Sequence, residues 1–575
     1  MAAMCEIPVL IVGGGPVGLC AAILLSHHGI PSLLVERHDA TARYPKARFV
    51  NARSMEIFRQ CGLERVVRET ALPPDTARHA IWASSLVGEE RQRVAIDTVT
   101  PEGIAGLSPT SGCTTSQEVL EPVLLAAARR GGLGEVRFGW ELVTFAQDAA
   151  GVTATLLDRA TGEQMQVRAD YLIGADGPHS RVRELLTIPM VGRADAAHFV
   201  TILFRADLSP WVAGRSINLC MLLQAEAPGV LLAIDGQERW CLMANYSPAA
   251  GQRAEDFTLE RCITLVRAAV GVPDLTVTIE RVAPWSAAAR VAERFSAGRV
   301  FLAGDAAHEM PPAGGFGMNV GIADAHNLAW KLAAVSQGWA GPSLLATYAS
   351  EREPVGRWVT EQIGRMLQTM ASRWRAGADR ADATVGGDDH GAQSGRIDLF
   401  REVGMVFGAA YYSAAAVPDA TTPTEVANPV TDYAPEARPG SRAPHVWLAR
   451  AGERISTLDL FDTAFVLLAG PSGGAWCEAA EHVVSSLGAP LRAYALGEGG
   501  DLRDPEGAWP DVYGVEPDGA VLVRPDGHVA WRSRGRAEDA PGTLDCVLRS
   551  VLGSGAWHDE ERRTGSTAGA RSSGV

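Results

Sequence analysis

No two of the nine cysteines in this chain stand in a CxxC spacing, and an odd number scattered from Cys5 to Cys546 makes neither a disulfide framework nor a zinc site. That excludes a small secreted scaffold, gives no metal and agrees with a reducing cytoplasm. Long apolar runs are missing too: nowhere are there the roughly 20 uninterrupted apolar residues of a membrane-spanning helix. The opening MAAMCEIPVLIVGGG has no basic segment and is cut at once by glycines, unlike a signal peptide. Positive charge is not in excess, since 52 Lys+Arg against 67 Asp+Glu leave −15, which argues against a nucleic-acid or anionic-membrane partner. A second complete GxGxxG is also absent. What remains, 575 residues with 47% apolar and 21% charged, is globular material for two or three domains working on a small molecule, as a monomer or homodimer.

The run IPVLIV (7–12) is short, β-branched and apolar, as a strand buried on both faces of a parallel sheet should be. GGGPVG follows, with Gly13, Gly15 and Gly18, then a helical stretch stopping at Gly29, then PSLLVER with Glu36 standing 18 residues past Gly18. Strand, GxGxxG, helix, strand, acid is the order a dinucleotide needs. Gly13 makes the turn, Gly15 lets backbone approach a pyrophosphate, and Gly18 lets helix pack on strand. The helix N-terminus, with Pro16 and Val17 in its first turn, faces the phosphates, and Glu36 can accept from the ribose hydroxyls. The fingerprint does not separate NAD from FAD. With only one copy, the chain is either an NAD dehydrogenase or binds FAD here and meets its reductant without a second such fold.

Two further buried-strand patterns, YLIGADGPHSRVR (171–183) and RVFLAGDAAH (299–308), each end in a small residue, Gly and Asp at the carboxyl end of a strand, where open α/β sheets bind ligands. The second runs into EMPPAGGFGMNV, glycine turns directly before a long helix. Such turns give up ordering entropy and suggest backbone brought close to something flat or charged. In this order and spacing the motifs resemble, over residues 5–370, the para-hydroxybenzoate hydroxylase-like class A flavoprotein aromatic monooxygenases.

The resemblance implies an α/β fold: a Rossmann-like, GR2-type FAD-binding domain (1–75, 105–188 and 282–372) with an inserted antiparallel-sheet substrate domain (76–104 and 189–281). It implies FAD as cofactor and NADPH, or NADH, as transient reductant. Asp305 would contact the ribityl and pyrophosphate region, with Pro311 and Pro312 near the isoalloxazine face. The turns at Gly314, Gly315, Phe316 and Gly317 would reach its edge, and Met318 and Asn319 would offer N–H groups at the start of the helix running through Leu332. Arg37 and Arg48 would lie near the adenosine and pyrophosphate, Gln117 on the ribityl chain, and Val143 as a backbone contact to adenine. Asp176 would serve both FAD and NADPH binding, with Ser180 and Arg183 completing its motif. His308 reads as a motif residue satisfied by hydrogen bonds rather than an acid or base.

Between 190 and 285, HFVTILFRADL and GVLLAIDGQERWCLMANY read as strands, the second a hairpin turning at Asp235-Gly236. A sheet laid over the flavin domain would make a pocket at the interface. Residues 373–440 read as loop and linker, 373–396 having few large apolar residues and 417–445 being rich in Pro and Thr. Residues 441–556 resemble, through PGSRAPHVWL and VRPDGHVAWR, the thioredoxin-like C-terminal domain of phenol and polyketide hydroxylases. Cys477 has no CxxC partner there, which leaves the domain a structural or oligomeric role. The tail 557–575 reads as disordered.

PGSRAPH and YYSAAAVPD incline the resemblance toward the branch acting on polycyclic aromatic polyketides. It implies that NADPH reduces FAD, O2 adds at flavin C4a, and the hydroperoxide delivers one oxygen to a phenolic ring. Baeyer–Villiger oxygenation of a polyketide ketone and hydroxylation of a simple phenol are the alternatives; there is no WxWxIP of a flavin halogenase. An interaction protein built around the C-terminal domain is the reading of a different class. The chemistry requires a dry pocket and a base or relay poising the phenol. The sequence does not identify that base; Tyr246, Tyr411 and Tyr412 qualify by type alone.

Overall fold

The computed structural model describes residues 5–73, 76–96, 100–224, 226–379 and 402–553, without the side chains of 370–379. Most of the loop expected at 373–396, and the tail expected at 557–575, lie outside the described residues.

The strand Cys5–Val12 is the centre of a parallel sheet, flanked by Ser32–Glu36 and Gln164–Gly174, with Gly134–Phe138 and Val300–Leu302 outside them. Val9, Leu10 and Ile11 are fully buried, as a strand covered on both faces must be. Val12 pairs with Gly174 and Gly174 with Leu302, so the loops GGGPVG, GADG and GDAAH leave the sheet side by side at its carboxyl edge. The helix Pro16–His27 packs against the helix Phe316–Ser336 over this sheet.

A second sheet of eight strands runs in the order 308–309, 278–292, 190–205, 239–246, 229–233, 217–222, 79–83, 90–95. It is antiparallel except where Ile217–Leu222 runs parallel to His79–Ala83. The hairpin at Asp235-Gly236 is present: the Asp235 carboxylate accepts the N–H groups of Gln237, Glu238 and Arg239 at 2.9, 3.0 and 2.9 Å, and Gly236 takes φ 73°. One boundary is corrected. The strand Thr278–Ala292 pairs with Met190–Arg205 and then with His308–Glu309, so the expected division at 282 falls inside a strand. Its small residues, SAAARVA, carry no alternation that would have marked it. The outer face, with Val200, Ile202, Phe204 and Leu242, packs under the helix Leu259–Val270. The inner face is turned toward the flavin-type sheet.

The helix Ala346–Asp379 continues past residue 373, where a loop was expected, because RWRA is made of good helix formers. The C-terminal region forms a four-stranded sheet, Leu491–Ala495, Phe465–Ala469, Ala520–Val523, Val529–Ser533, with the first pair parallel. Helices Gly474–Leu487 and Ala540–Val551 pack with it in one core, and the buried Trp330 of the helix Phe316–Ser336 joins that core.

The two C-terminal signature motifs prove to be docking ion pairs. Arg524, from VRPDGH, reaches Glu351 at 2.7 and 2.9 Å and Asp526 at 2.5 and 3.0 Å, and Lys331 meets Glu351 at 2.7 Å, all with essentially no exposure. Arg442, from PGSRAPH, pairs with Glu56 on the helix Ala52–Gln60, where Arg53 also donates at 2.9 Å. Burial works to raise the carboxyls of Glu351, Asp526 and Glu56, and the facing cations more than reverse it, holding all three below the usual range. A depressed carboxyl contributes stability that is complete above its unfolded-state pKa, about 4 to 4.5, and is lost as pH falls through the folded value. Thermal unfolding followed from pH 7 downward should therefore weaken below about pH 4.5, first at the C-terminal docking surface. A midpoint that stayed level to pH 3 would contradict this.

Candidate active site

The three motif loops meet around Gly13. An added Cβ there would lie 2.2 Å from the Ala175 carbonyl oxygen of the GADG motif, and φ is 113°. At Gly18 a Cβ would lie 1.9 Å from the carbonyl oxygen of Gly13 itself, which fixes helix on turn. Gly15 differs from both: its Cβ would meet nothing within 4 Å, at the mouth of a helix whose first residue is Pro16. Val17 wedges between Gly304 of the GD motif and Gly321 of the helix Phe316–Ser336, either of which would clash with it as alanine.

Asp305 stands beside Gly317, its Oδ1 3.7 Å from where a Cβ would be. It is solvent-accessible, yet protein surrounds it closely enough for desolvation to push its pKa up, as for a group deep in a cleft. Gly314 and Gly315 take φ 72° and 69°, turning the chain from Pro312 into the helix. By helix geometry the amides of Phe316, Gly317 and Met318 have no acceptor within the helix and carry its partial positive charge. The Asn319 side chain is committed to protein: it accepts from Asn51 N–H and donates to the carbonyls of Phe49 and Gly315, at 2.9, 2.9 and 2.7 Å.

Asp176 accepts from Ser180 at 2.5 Å and from the Val182 amide at 3.1 Å, while burial raises its pKa. Arg183 donates to the Ala306 carbonyl at 2.9 Å, tying GADG to GDAAH. Glu36 accepts from the Gly14 amide at 2.7 Å and the His38 amide at 2.8 Å, so ribose hydroxyls would share an already positioned carboxylate. Val143 sits at a bulge, skipped in the ladder between Leu142 and Thr144, with its carbonyl accepting from Arg181 at 3.2 Å. Arg37 is exposed. Gln117 accepts from the Ala47 amide at 3.2 Å and donates to Glu121 at 2.6 Å.

Arg48 is drawn away from the glycine turns. It donates to Asn218, a residue skipped in the register between Ile217 and Leu219, and has no carboxylate partner among the described residues; burial pushes its pKa down to about 10. Sequence reading missed Asn218 and the buried Glu121, which also accepts from the Ala42 amide at 2.5 Å. Glu121 was visible in principle, one helical turn after Gln117; nothing local marks Asn218. His308 is fully buried with Nε2 2.7 Å from Asp324, as a structural motif residue. Of the tyrosines, Tyr411 takes a hydrogen bond from Arg352 at 3.1 Å and stacks on His528 at 4.1 Å, Tyr412 is 69% exposed, and Tyr246 packs on the outer face of the second sheet. In the C-terminal region, burial raises the Cys477 pKa, which makes it a poor thiolate.

These features fit FAD: an open space at Gly15 beside free helix amides, a carboxylate in a cleft next to the glycine turns, and a bulged backbone at Val143. A parallel sheet with a dinucleotide fingerprint whose loops converge on such a cleft, under a separate antiparallel sheet, defines a flavoprotein oxidoreductase. The chain belongs to the FAD-dependent aromatic-ring hydroxylases: the FAD binding domain family matches residues 6–363, and the aromatic-ring hydroxylase C-terminal family matches residues 436–555. It is 40% identical over 570 residues to the tetracenomycin A2 monooxygenase-dioxygenase of Streptomyces glaucescens, covering 95% of this chain and 97% of that one. It is 41% identical over 567 residues to the aklavinone 12-hydroxylase of Streptomyces purpurascens, covering 95% and 99%. Its structure is similar to that of aklavinone-11 hydroxylase solved with FAD and aklavinone, with a TM-score of 0.85, 39% identity, and 96% and 100% of the two chains covered. The protein is thus an FAD-dependent monooxygenase that uses NAD(P)H as reductant. None of its described helices is long and apolar enough to cross a membrane.

Proposed function

We propose that this enzyme hydroxylates a phenolic ring of a polycyclic aromatic polyketide, using O2. The observation that carries the reading is the inner face of the second sheet. Phe199 and Trp285 are stacked there at 4.8 Å, and Leu203, Ile234 and Cys241 form another packed patch beside Tyr44. Met243 touches both patches, and with Thr201 and Ala283 it makes a half-buried row between them. An apolar, aromatic strip with an adaptable methionine in its middle suits a flat polycyclic ligand and excludes water. The names of the tetracenomycin and aklavinone enzymes point the same way.

When bound, FAD reduced by NAD(P)H supplies activation of O2 and delivery of one oxygen atom. The chain's part is to hold and tune it. Gly13, Gly15, Gly18, Pro16 and Val17 would seat the pyrophosphate, Glu36 and Arg37 the adenosine ribose side, Val143 the adenine, and Gln117 and Asp305 the ribityl chain. Pro312, Gly315, Gly317, Met318 and Asn319 would border the ring, where the helix end favours negative charge. Asp176 would border this cleft, while Arg48 is held away from the glycine turns by Asn218. Asp305→Ala should weaken FAD by about 1 to 3 kcal/mol, read as flavin lost on dilution and gel filtration; full retention would remove Asp305 from the site.

The βαβ unit and following hairpin and helix support a thioredoxin-like reading of 441–556 without dithiol chemistry, and we place the inserted substrate unit at 76–104 and 189–292. The activity is tested by NADPH oxidation in air with and without polycyclic phenols, with product mass. Stimulated oxidation and a gain of one oxygen support hydroxylation, a lactone would mean ring-oxygen insertion, and peroxide alone across the panel would overturn the substrate class.

A further inference from the structure

We propose that Arg281, with Lys46 on the same Tyr44 ring, is a docking site for a phosphate group of the nicotinamide dinucleotide that reduces the flavin. The chain uses NAD(P)H but carries a single GxGxxG, which FAD would fill, so the charges of the reductant have to be met outside that fingerprint. Arg281 lies on the strand Thr278–Ala292 and pairs across the sheet with Leu203, which pairs in turn with Cys241. Opposed residues of an antiparallel ladder share a face, so Arg281 stands on the inner face, in line with Ala283 and Trp285 at every second position. Being exposed, it forms the rim of the apolar strip that faces the flavin-type sheet.

The Arg281 guanidinium stands 3.8 Å from the centroid of the Tyr44 ring, and the exposed Lys46 Nζ stands 5.4 Å from the same centroid. Neither cation has a carboxylate partner among the described residues. The acid next to Arg281 in the chain is already engaged: Glu280 accepts from Arg205 at 2.6 Å and from Arg239 at 3.1 Å. Tyr44 packs with the inner-face patch of Leu203, Ile234 and Cys241, so the ring is fixed to the sheet that carries Arg281. Lys46 also reaches toward the flavin side: burial raises the Asp305 carboxyl, and the Lys46 charge is among those working against it. The pair thus lies at the mouth of the flavin cleft. An arginine held on an aromatic ring keeps its planar fork of N–H groups for a phosphate, and the lysine adds a point charge. In a chain of net charge −15, cations without a counter-ion are a local attraction for a polyanion. A neutral polycyclic ring has no use for them, whereas the dinucleotide brings its bridging phosphates and, in NADPH, one more on the adenosine 2′ oxygen.

The test uses the FAD-loaded full chain. NADP+ and NAD+ are titrated into it by calorimetry, and NADPH and NADH reduce it anaerobically, with loss of the oxidised flavin band as the signal. Arg281→Ala should raise the NADP+ dissociation constant and the NADPH concentration for half-maximal reduction by about 10-fold or more, at unchanged FAD content and unchanged bleaching by dithionite. Lys46→Ala should move both in the same direction by less, and Arg281→Lys should recover part of the loss, because it keeps the charge but not the fork. Added salt should weaken nucleotide binding more in the wild type than in Arg281→Ala. A loss confined to NADP(H) places the 2′-phosphate at Arg281, and an equal loss for NAD(H) places the bridging phosphates there. Half-maximal concentrations within error of the wild type for both nucleotides overturn the proposal, as does a loss seen only in the affinity for a polycyclic phenol, read from the flavin spectrum. No aromatic ligand enters the nucleotide titrations, so their outcome is independent of the substrate class.

Discussion

Gly15→Val should purify as a folded, colourless protein. The backbone at Gly15 is extended, φ −75° and ψ −176°, a conformation any residue adopts, and a Cβ there meets no atom within 4 Å beyond its chain neighbours. The substitution therefore leaves the apoprotein alone and fills the space at the head of the helix where the pyrophosphate would approach the backbone. The flavin-to-protein ratio should fall to near zero while circular dichroism and unfolding match the flavin-stripped wild type. The neighbouring glycines provide the contrast. Gly18→Val would drive a side chain into the Gly13 carbonyl, 1.9 Å from its Cβ, and should not give soluble protein at all. A yellow, fully loaded Gly15→Val would sink the cofactor assignment of the whole fingerprint.

Glu351→Ala should be the most damaging single charge truncation at the C-terminal docking surface, lowering stability by roughly 3 to 5 kcal/mol. Glu351 accepts from Lys331, from both ends of the Arg524 fork, from Asn327 at 2.6 Å and from Ser413 at 2.6 Å. Its loss leaves two buried cations facing Asp526 alone. Burial already lowers the Lys331 pKa to about 8 with the glutamate present, so the amine should lose its proton when the glutamate is gone. Chemical denaturation would read the loss, with limited proteolysis expected to separate the C-terminal region from the rest before the flavin sheet opens. A denaturation midpoint within error of the wild type would mean that the network contributes nothing net, as exposed pairs often do.

The glycine fingerprint, the GADG and GDAAH strand ends, the Asp235-Gly236 hairpin and the linker to the C-terminal sheet were all legible because each is governed by nearby residues. A turn needs glycine where φ is positive, and a doubly covered strand needs a continuous apolar run. The family resemblance added FAD and the order of domains. What went astray was local signal of the weaker kind. The strand Thr278–Ala292 hid in small residues, and the helix through Asp379 continued where a lack of large apolar side chains suggested a loop. PGSRAPH and VRPDGH carry no local sign of their purpose, since Arg442 and Arg524 find Glu56 and Glu351 across 386 and 173 residues of chain.

By itself, then, the sequence determined that a dinucleotide-type sheet carries three glycine-rich loops at its strand ends, because that pattern is written in short-range backbone and burial preferences. Only the tertiary structure decided that Val12, Gly174 and Leu302 stand in one register, that Arg48 is held by a bulged Asn218, and that Asn245 pairs with Phe199 and Phe199 with Trp285. Those facts depend on which distant strands pair and in what register, and a shift of one residue would turn every one of these side chains to the opposite face.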